Sequence, residues 1–238
     1  MFWPYFVDAS YLFVLLAAVF SMIASAQVNA AFRKYSGVRP ASGMTGADAA
    51  RQVLDANGLY DVPVERVSGN LTDHYDPRTR VIRLSDSVYG ASSVAAIGVA
   101  AHEAGHAVQH ATGYFPLKLR NAIVPVTNLG SRVAMPLILL GLVFASAGTI
   151  FTDIAYAGVM CYGLCVIFQL VTLPTEFNAS RRALRAIEDG GLLDRGELAD
   201  SAKVLRAAAM TYVAALAVSI TQFLRLLSVV SRSDRRRR

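Results

Sequence analysis

Apolar and polar positions separate along this chain into blocks rather than alternating. "YLFVLLAAVFSMIASAQVNA" (11–30) holds no charge, and "AIVPVTNLGSRVAMPLILLGLVFASAG" (122–148) and "FTDIAYAGVMCYGLCVIFQLVTLP" (151–174) are two more long apolar runs. Each reaches the roughly 20 residues that a helix needs to cross a hydrocarbon core. The short link between the second and third predicts an antiparallel transmembrane hairpin. A fourth run, "AAAMTYVAALAVSITQFLRLLSVV" (207–230), is Ala-rich and contains Arg225. It either spans or lies in the interface with Arg225 snorkelling to the headgroups.

The predicted fold class is a mainly α membrane protein with a small α+β domain inserted among its transmembrane helices. The boundaries follow the blocks: a first transmembrane helix in 1–31, a polar domain in 32–121, the hairpin in 122–174, a helical segment in 175–206, the fourth hydrophobic helix in 207–231, and a basic tail in 232–238. No Lys or Arg precedes the first apolar run, which argues against a cleaved signal peptide, and the aromatic "FWPYF" before it suits an interfacial belt. If the second and third runs form a hairpin, both polar stretches emerge on one side, so one site can draw residues from both.

Composition adds orientation. Hydrophobic residues make up 54% of the chain, and the formal net charge of +6 leans on the tail "SRSDRRRR", a solvated segment near anionic lipid. The lipid bilayer is therefore an expected partner and nucleic acid is not. Arg33, Lys34, Arg39, Lys118 and Arg120 flank the polar domain, whereas the leader and the hairpin link carry no basic residue. By the positive-inside rule the domain faces the cytoplasm of a bacterial cell membrane. The tail arginines oppose this if the fourth run spans fully. Cys161 and Cys165, one helical turn apart in an apolar run, read as packing residues rather than a disulfide or metal pair.

Within the polar domain, "TGADAARQVLDANGL" (45–59) predicts a short helix capped by Thr45 and stopped at Asn57-Gly58. "VPVERVSG" and "RVIRLS" (80–85) predict two strands of a small sheet flanking the turn-forming "NLTDHYDPRTR". "SSVAAIGVAAHEAGHAVQH" then predicts a buried helix capped by Ser92 or Ser93, with three of the chain's four histidines at its far end.

That helix carries the chemistry. His102 and His106 lie four residues apart, on one face and about 6 Å apart in rise, a spacing that two imidazoles close onto one zinc ion. Glu103, next to His102, stands close enough to act as general base without being a ligand. A bound Zn2+ would lower the pKa of its water and polarise a carbonyl. A purely structural role would leave imidazoles and a carboxylate buried among Ala, Val and Gly, which costs several kcal/mol unless they are paired or metal-bound. A third ligand is needed. His110 is nearer in sequence but a further turn along the same helix, which suits a supporting or surface residue. Glu176, in "LPTEFNASRRAL", follows Pro174, opens an apparent helix, and is preferred.

"LTDHYDPRTRVIRLSDSVY", "SVAAIGVAAHEAGHAVQ" and "LPTEFNASRRAL" together resemble the bacterial membrane zinc metallopeptidases of the YugP-like neutral zinc metallopeptidase family. The resemblance covers nearly the whole chain. It implies a minimal zincin-like domain among membrane helices, gluzincin-like in logic, with Glu103 catalytic and His102, His106 and Glu176 on zinc. Related enzymes carry E-x-x-A-D around the distant glutamate. Here Ser180 stands at the aspartate position, so Ser180 or Asn178 would have to orient a histidine in place of a carboxylate.

His74 and Tyr75 are candidate donors to an oxyanion, against a plain turn stabilised by Asp73, Asp76 and Arg78. "RVIRLS" is a candidate sheet edge for an extended substrate. Arg181 and Arg182 read as lipid-headgroup contacts. The function expected is a membrane-embedded zinc endopeptidase acting on membrane or membrane-proximal proteins. A zinc hydrolase of a non-peptide amide and a non-catalytic, zinc-stabilised scaffold are the alternatives.

Overall fold

The computed structural model describes residues 9–235; the aromatic leader "FWPYF" and the last three arginines lie outside them. Among the described residues, six α-helices and one three-stranded sheet follow in the order α1 (Ala9–Ser36), α2 (Gly46–Ala56), β1 (Val64–Val67), β2 (His74–Asp76), β3 (Val81–Ser85), α3 (Val94–Ala111), α4 (Phe115–Val143), α5 (Thr149–Asp189) and α6 (Arg195–Arg235). Helices α1, α4, α5 and α6 are each long and apolar enough to cross a membrane. The protein is thus mainly helical and reads as an integral membrane protein.

The chain divides into two compact units. The first takes the described residues up to Ile23, Leu119–Leu173 and those from Tyr212 onward. Here α4 and α5 are joined by a 3-10 turn at Ala145–Ala147 and pack through small residues. A Cβ on Gly158 would lie 2.7 Å from the Ala134 carbonyl oxygen, and one on Gly130 3.1 Å from that of Cys161, so the backbones approach closely where side chains vanish. Ile138, Ala155, Val159, Leu226 and Val230 form the core. Met160 is 70% exposed and Leu129 65% exposed, as apolar residues facing hydrocarbon should be. Pro125 and Pro136 both sit inside α4 without ending it.

The second unit takes Ala24–Lys118 and Pro174–Thr211. Thr45 caps α2 through a reciprocal box with Asp48, and Gly58 at φ 71° lies just beyond its C-terminus. Ser93 caps α3. Ile82 and Leu84 from β3, Leu54 from α2, Ile97 from α3 and Ile187 from α5 are fully buried together.

Three sequence expectations change here. The stretch expected only to turn contains β2, and the sheet order is β1-β3-β2, with β1 parallel and β2 antiparallel to β3. Asp73 and Asp76 supply the reason: Asp73 accepts the Ser85 N–H at 2.7 Å, and Asp76 accepts the Arg78 N–H at 2.9 Å and the Thr79 hydroxyl at 2.9 Å. These bonds tie both ends of a three-residue strand that has no apolar alternation to announce it. "RVIRLS" is consequently the central strand rather than an edge, since β3 pairs on both sides. Finally, no new helix opens after Pro174, because α5 continues through it as one helix.

Candidate metal centre

All the groups of this site belong to the second unit. His102 and His106 project from one face of α3, and Glu176 projects from α5. The ligand atoms of the three lie within 4.8 Å of one another. Gly105 lets the helices meet: a Cβ there would stand 2.8 Å from the carbonyl oxygen of Ala179, so the backbone of α5 occupies the space that any side chain would need. The glycine inside "HEAGH" is therefore part of how the site is assembled.

His102 Nε2 lies 3.3 Å and His106 Nε2 3.5 Å from the same Glu176 oxygen, Oε2. Donor atoms about 2.0–2.1 Å from a tetrahedral zinc are roughly 3.3–3.4 Å apart, so these two spacings suit one shared ion. The two rings stand nearly perpendicular, at 87° with centroids 4.8 Å apart. Glu176 is 2% exposed and His106 8% exposed. Burial opposes the charged form of His106, but Glu176, Glu103 and the bond to Gln109 outweigh it and hold its pKa above the ordinary histidine value. The same negative field favours a bound cation.

Each ring is held from behind. Ser180 Oγ lies 3.1 Å from His102 Nδ1, and Gln109 Oε1 lies 3.0 Å from His106 Nδ1. Ser180 thus meets a histidine directly, whereas Asn178 reaches the other one only through Gln109, whose Nε2 donates to Asn178 Oδ1 at 3.0 Å. Sequence reasoning passed over Gln109. Its signal was available: an uncharged polar residue three positions after His106 on an apolar helix, here fully buried.

Glu103, 9% exposed, accepts the main-chain N–H of Tyr75 at 2.8 Å. The edge strand β2 therefore orients the candidate base, a role that a plain turn at 74–76 would not imply. Asp73 lies on the same side; burial first, and then the charge of Glu103, push its carboxyl above the usual carboxylate range against the lowering effect of its Ser85 bonds.

The remaining candidates separate. The Tyr75 hydroxyl lies 2.8 Å from His110 Nδ1, so this pair forms beside the three-residue cluster without joining it. His74 is exposed, with Nδ1 2.8 Å from the Thr72 carbonyl oxygen; it is not brought to the cluster. Arg181 is exposed, whereas Arg182 is half-buried, donates from Nε to Asn178 Oδ1 at 2.8 Å and stacks over Tyr114, so its guanidinium has an internal role beside any headgroup contact. A guanidinium spent on an internal amide cannot at the same time serve lipid through that nitrogen. Cys161 and Cys165 are free thiols.

Comparison with known proteins agrees with this geometry. "Putative membrane protease YugP" of Bacillus subtilis (strain 168) is 48% identical over 220 residues, which cover 92% of this chain and 96% of the relative. No solved structure matches the chain. A family model described as "Putative neutral zinc metallopeptidase" matches residues 10–231, the helices and the site together, and the chain belongs to that family.

Proposed function

We propose that this protein is a membrane-embedded, zinc-dependent endopeptidase with a zincin-like site. The observation that carries the reading is the convergence of two imidazole Nε2 atoms on one buried carboxylate oxygen, with a second carboxylate beside them on the same helix. His102, His106 and Glu176 would hold the ion and Glu103 would be the base. When bound, zinc supplies a Lewis acid for a carbonyl and acidifies a water.

The chain's own residues perform the rest. Glu103, steered by the Tyr75 N–H, takes a proton from the attacking water and returns it to the leaving amine. Ser180 and Gln109 keep the two rings directed at Glu176. Glu176 follows Pro174, where the apolar run ends in the sequence, which favours substrates presented close to the bilayer: extended, locally unfolded segments of membrane or membrane-associated proteins. The basic residues around the polar stretches favour a cytoplasmic catalytic domain in a bacterial cell membrane. A cysteine replacing Asn57 should then resist an impermeant thiol reagent in intact cells and react after lysis.

The test is zinc content and cleavage of denatured protein substrates, measured side by side for two variants. Glu176→Gln should lose metal and cleavage together, because a neutral amide ligates zinc poorly. Glu103→Gln should keep about one zinc per chain and lose about 10²–10⁴ in rate. A Glu103→Gln protein that cleaves like the parent overturns the peptidase assignment.

A further inference from the structure

The orientation of Gln109 is dictated from outside the metal centre. Its Nε2 lies 2.8 Å from the main-chain carbonyl oxygen of Thr175, a group that only accepts. The amide nitrogen must face that oxygen, and it also donates to Asn178 Oδ1 at 3.0 Å. Asn178 is fixed in turn, because the Arg182 Nε–H that meets Oδ1 at 2.8 Å can only donate. Turning the Gln109 amide over would set oxygen against oxygen at two contacts in a fully buried place, an arrangement costing about 1–3 kcal/mol per unsatisfied group.

One consequence follows for His106. With Nε2 committed to Thr175 and Asn178, Gln109 presents Oε1 to His106 Nδ1 at 3.0 Å. That nitrogen must carry a proton, so in the neutral ring that a metal would need, the lone pair is at Nε2, on the side of Glu176 Oε2, 3.5 Å away. A main-chain carbonyl in α5, one residue before the candidate ligand Glu176, thereby sets which nitrogen of a ligand in α3 is available.

We propose that Gln109 is a positioning residue that selects the metal-binding tautomer of His106, locked by Thr175 and by the Arg182–Asn178 arm. The proposal rests on the reading of His106 as a zinc ligand. It also gives a function to Arg182, which reaches His106 through Asn178 and Gln109.

The test uses the full chain in detergent, zinc affinity by competition with a chelator, and 1H–15N spectra of histidine-labelled protein. In the parent, His106 should show a slowly exchanging Nδ1–H. Gln109→Met, close in volume but without an acceptor, should weaken zinc about 10- to 100-fold and remove that resonance. Zinc affinity within threefold of the parent, or an unchanged His106 resonance, in Gln109→Met overturns the proposal. Should Gln109→Met fail to fold, Asn178→Leu and Asn178→Asp decide: the first should bind zinc more weakly than the second, which still accepts from Gln109 and Arg182, and equal affinities overturn the proposal. A parent chain that binds no zinc sinks the metallopeptidase reading instead, while its Nδ1–H resonance still tests the hydrogen bond.

Discussion

The two units use close helix approach for opposite ends. In the first, Gly130, Gly141 and Gly158 bring α4 and α5 together over Ala134, Ile138 and Ala155, and what they bury is apolar. In the second, Gly105 brings α3 to α5 and what meets there is ionisable: His102, Glu103, His106 and Glu176, with Gln109 and Thr175 buried behind them. Apolar surface packs without regard to direction and tolerates small shifts. The polar groups of the second unit have lone pairs and protons to place, so each needs a particular partner, and a shift of a few tenths of an ångström matters.

The largest test of this contrast adds one methyl group to each contact. Gly105→Ala must push α5 away from α3, since its Cβ meets the Ala179 carbonyl at 2.8 Å. An overpacked contact costs typically about 1–3 kcal/mol, and zinc affinity should fall with it by at least tenfold. Gly158→Ala faces an equally tight contact at Ala134. It should lower thermal stability by a similar amount and leave zinc affinity within threefold. Comparable zinc loss in both variants would erase the distinction between the units.

A smaller effect is expected behind His102. Ser180→Ala removes the oxygen 3.1 Å from Nδ1 and should weaken zinc about tenfold. Ser180→Asp, which places a carboxylate there as in E-x-x-A-D, should bind at least as tightly as the parent. Chelator competition on the two variants sharpens the claim: if the alanine form binds like the parent, His102 is oriented by packing alone.

The smallest effect is expected at Tyr75. Tyr75→Phe deletes the hydroxyl bonded to His110, worth about 0.5–1.5 kcal/mol of stability, but leaves the main-chain N–H that Glu103 accepts. Thermal unfolding should register the change while zinc content does not move. Loss of cleavage with zinc retained would instead give the hydroxyl a part in the reaction.

Much was legible in the chain alone, wherever the signal is local. Four apolar runs, the Thr45 cap with its Asn57-Gly58 stop, the helix ending in histidines and the four-residue spacing of His102 and His106 are each written within one or two helical turns, because helix periodicity and capping act over that range. Glu176 follows from the sequence only through topology, and the structure brings it to the two histidines. What the sequence could not specify depends on groups that are neighbours only after folding. The three-residue β2 has too few positions to show a period, and its place at the sheet edge comes from bonds of Asp73 and Asp76 to residues up to 12 positions away. Helix α5 runs through Pro174 although proline's missing N–H argued for a break there. Gln109 and Arg182 looked like a polar residue on an apolar helix and a lipid contact; their roles appear only when Thr175 and Asn178, more than 60 positions from Gln109 in the chain, stand within hydrogen-bond reach. The sequence by itself determined which residues could bind a metal, because donor type and helical spacing are local properties. Only the tertiary structure decided which way those residues point, because direction is set by hydrogen-bond partners from other elements.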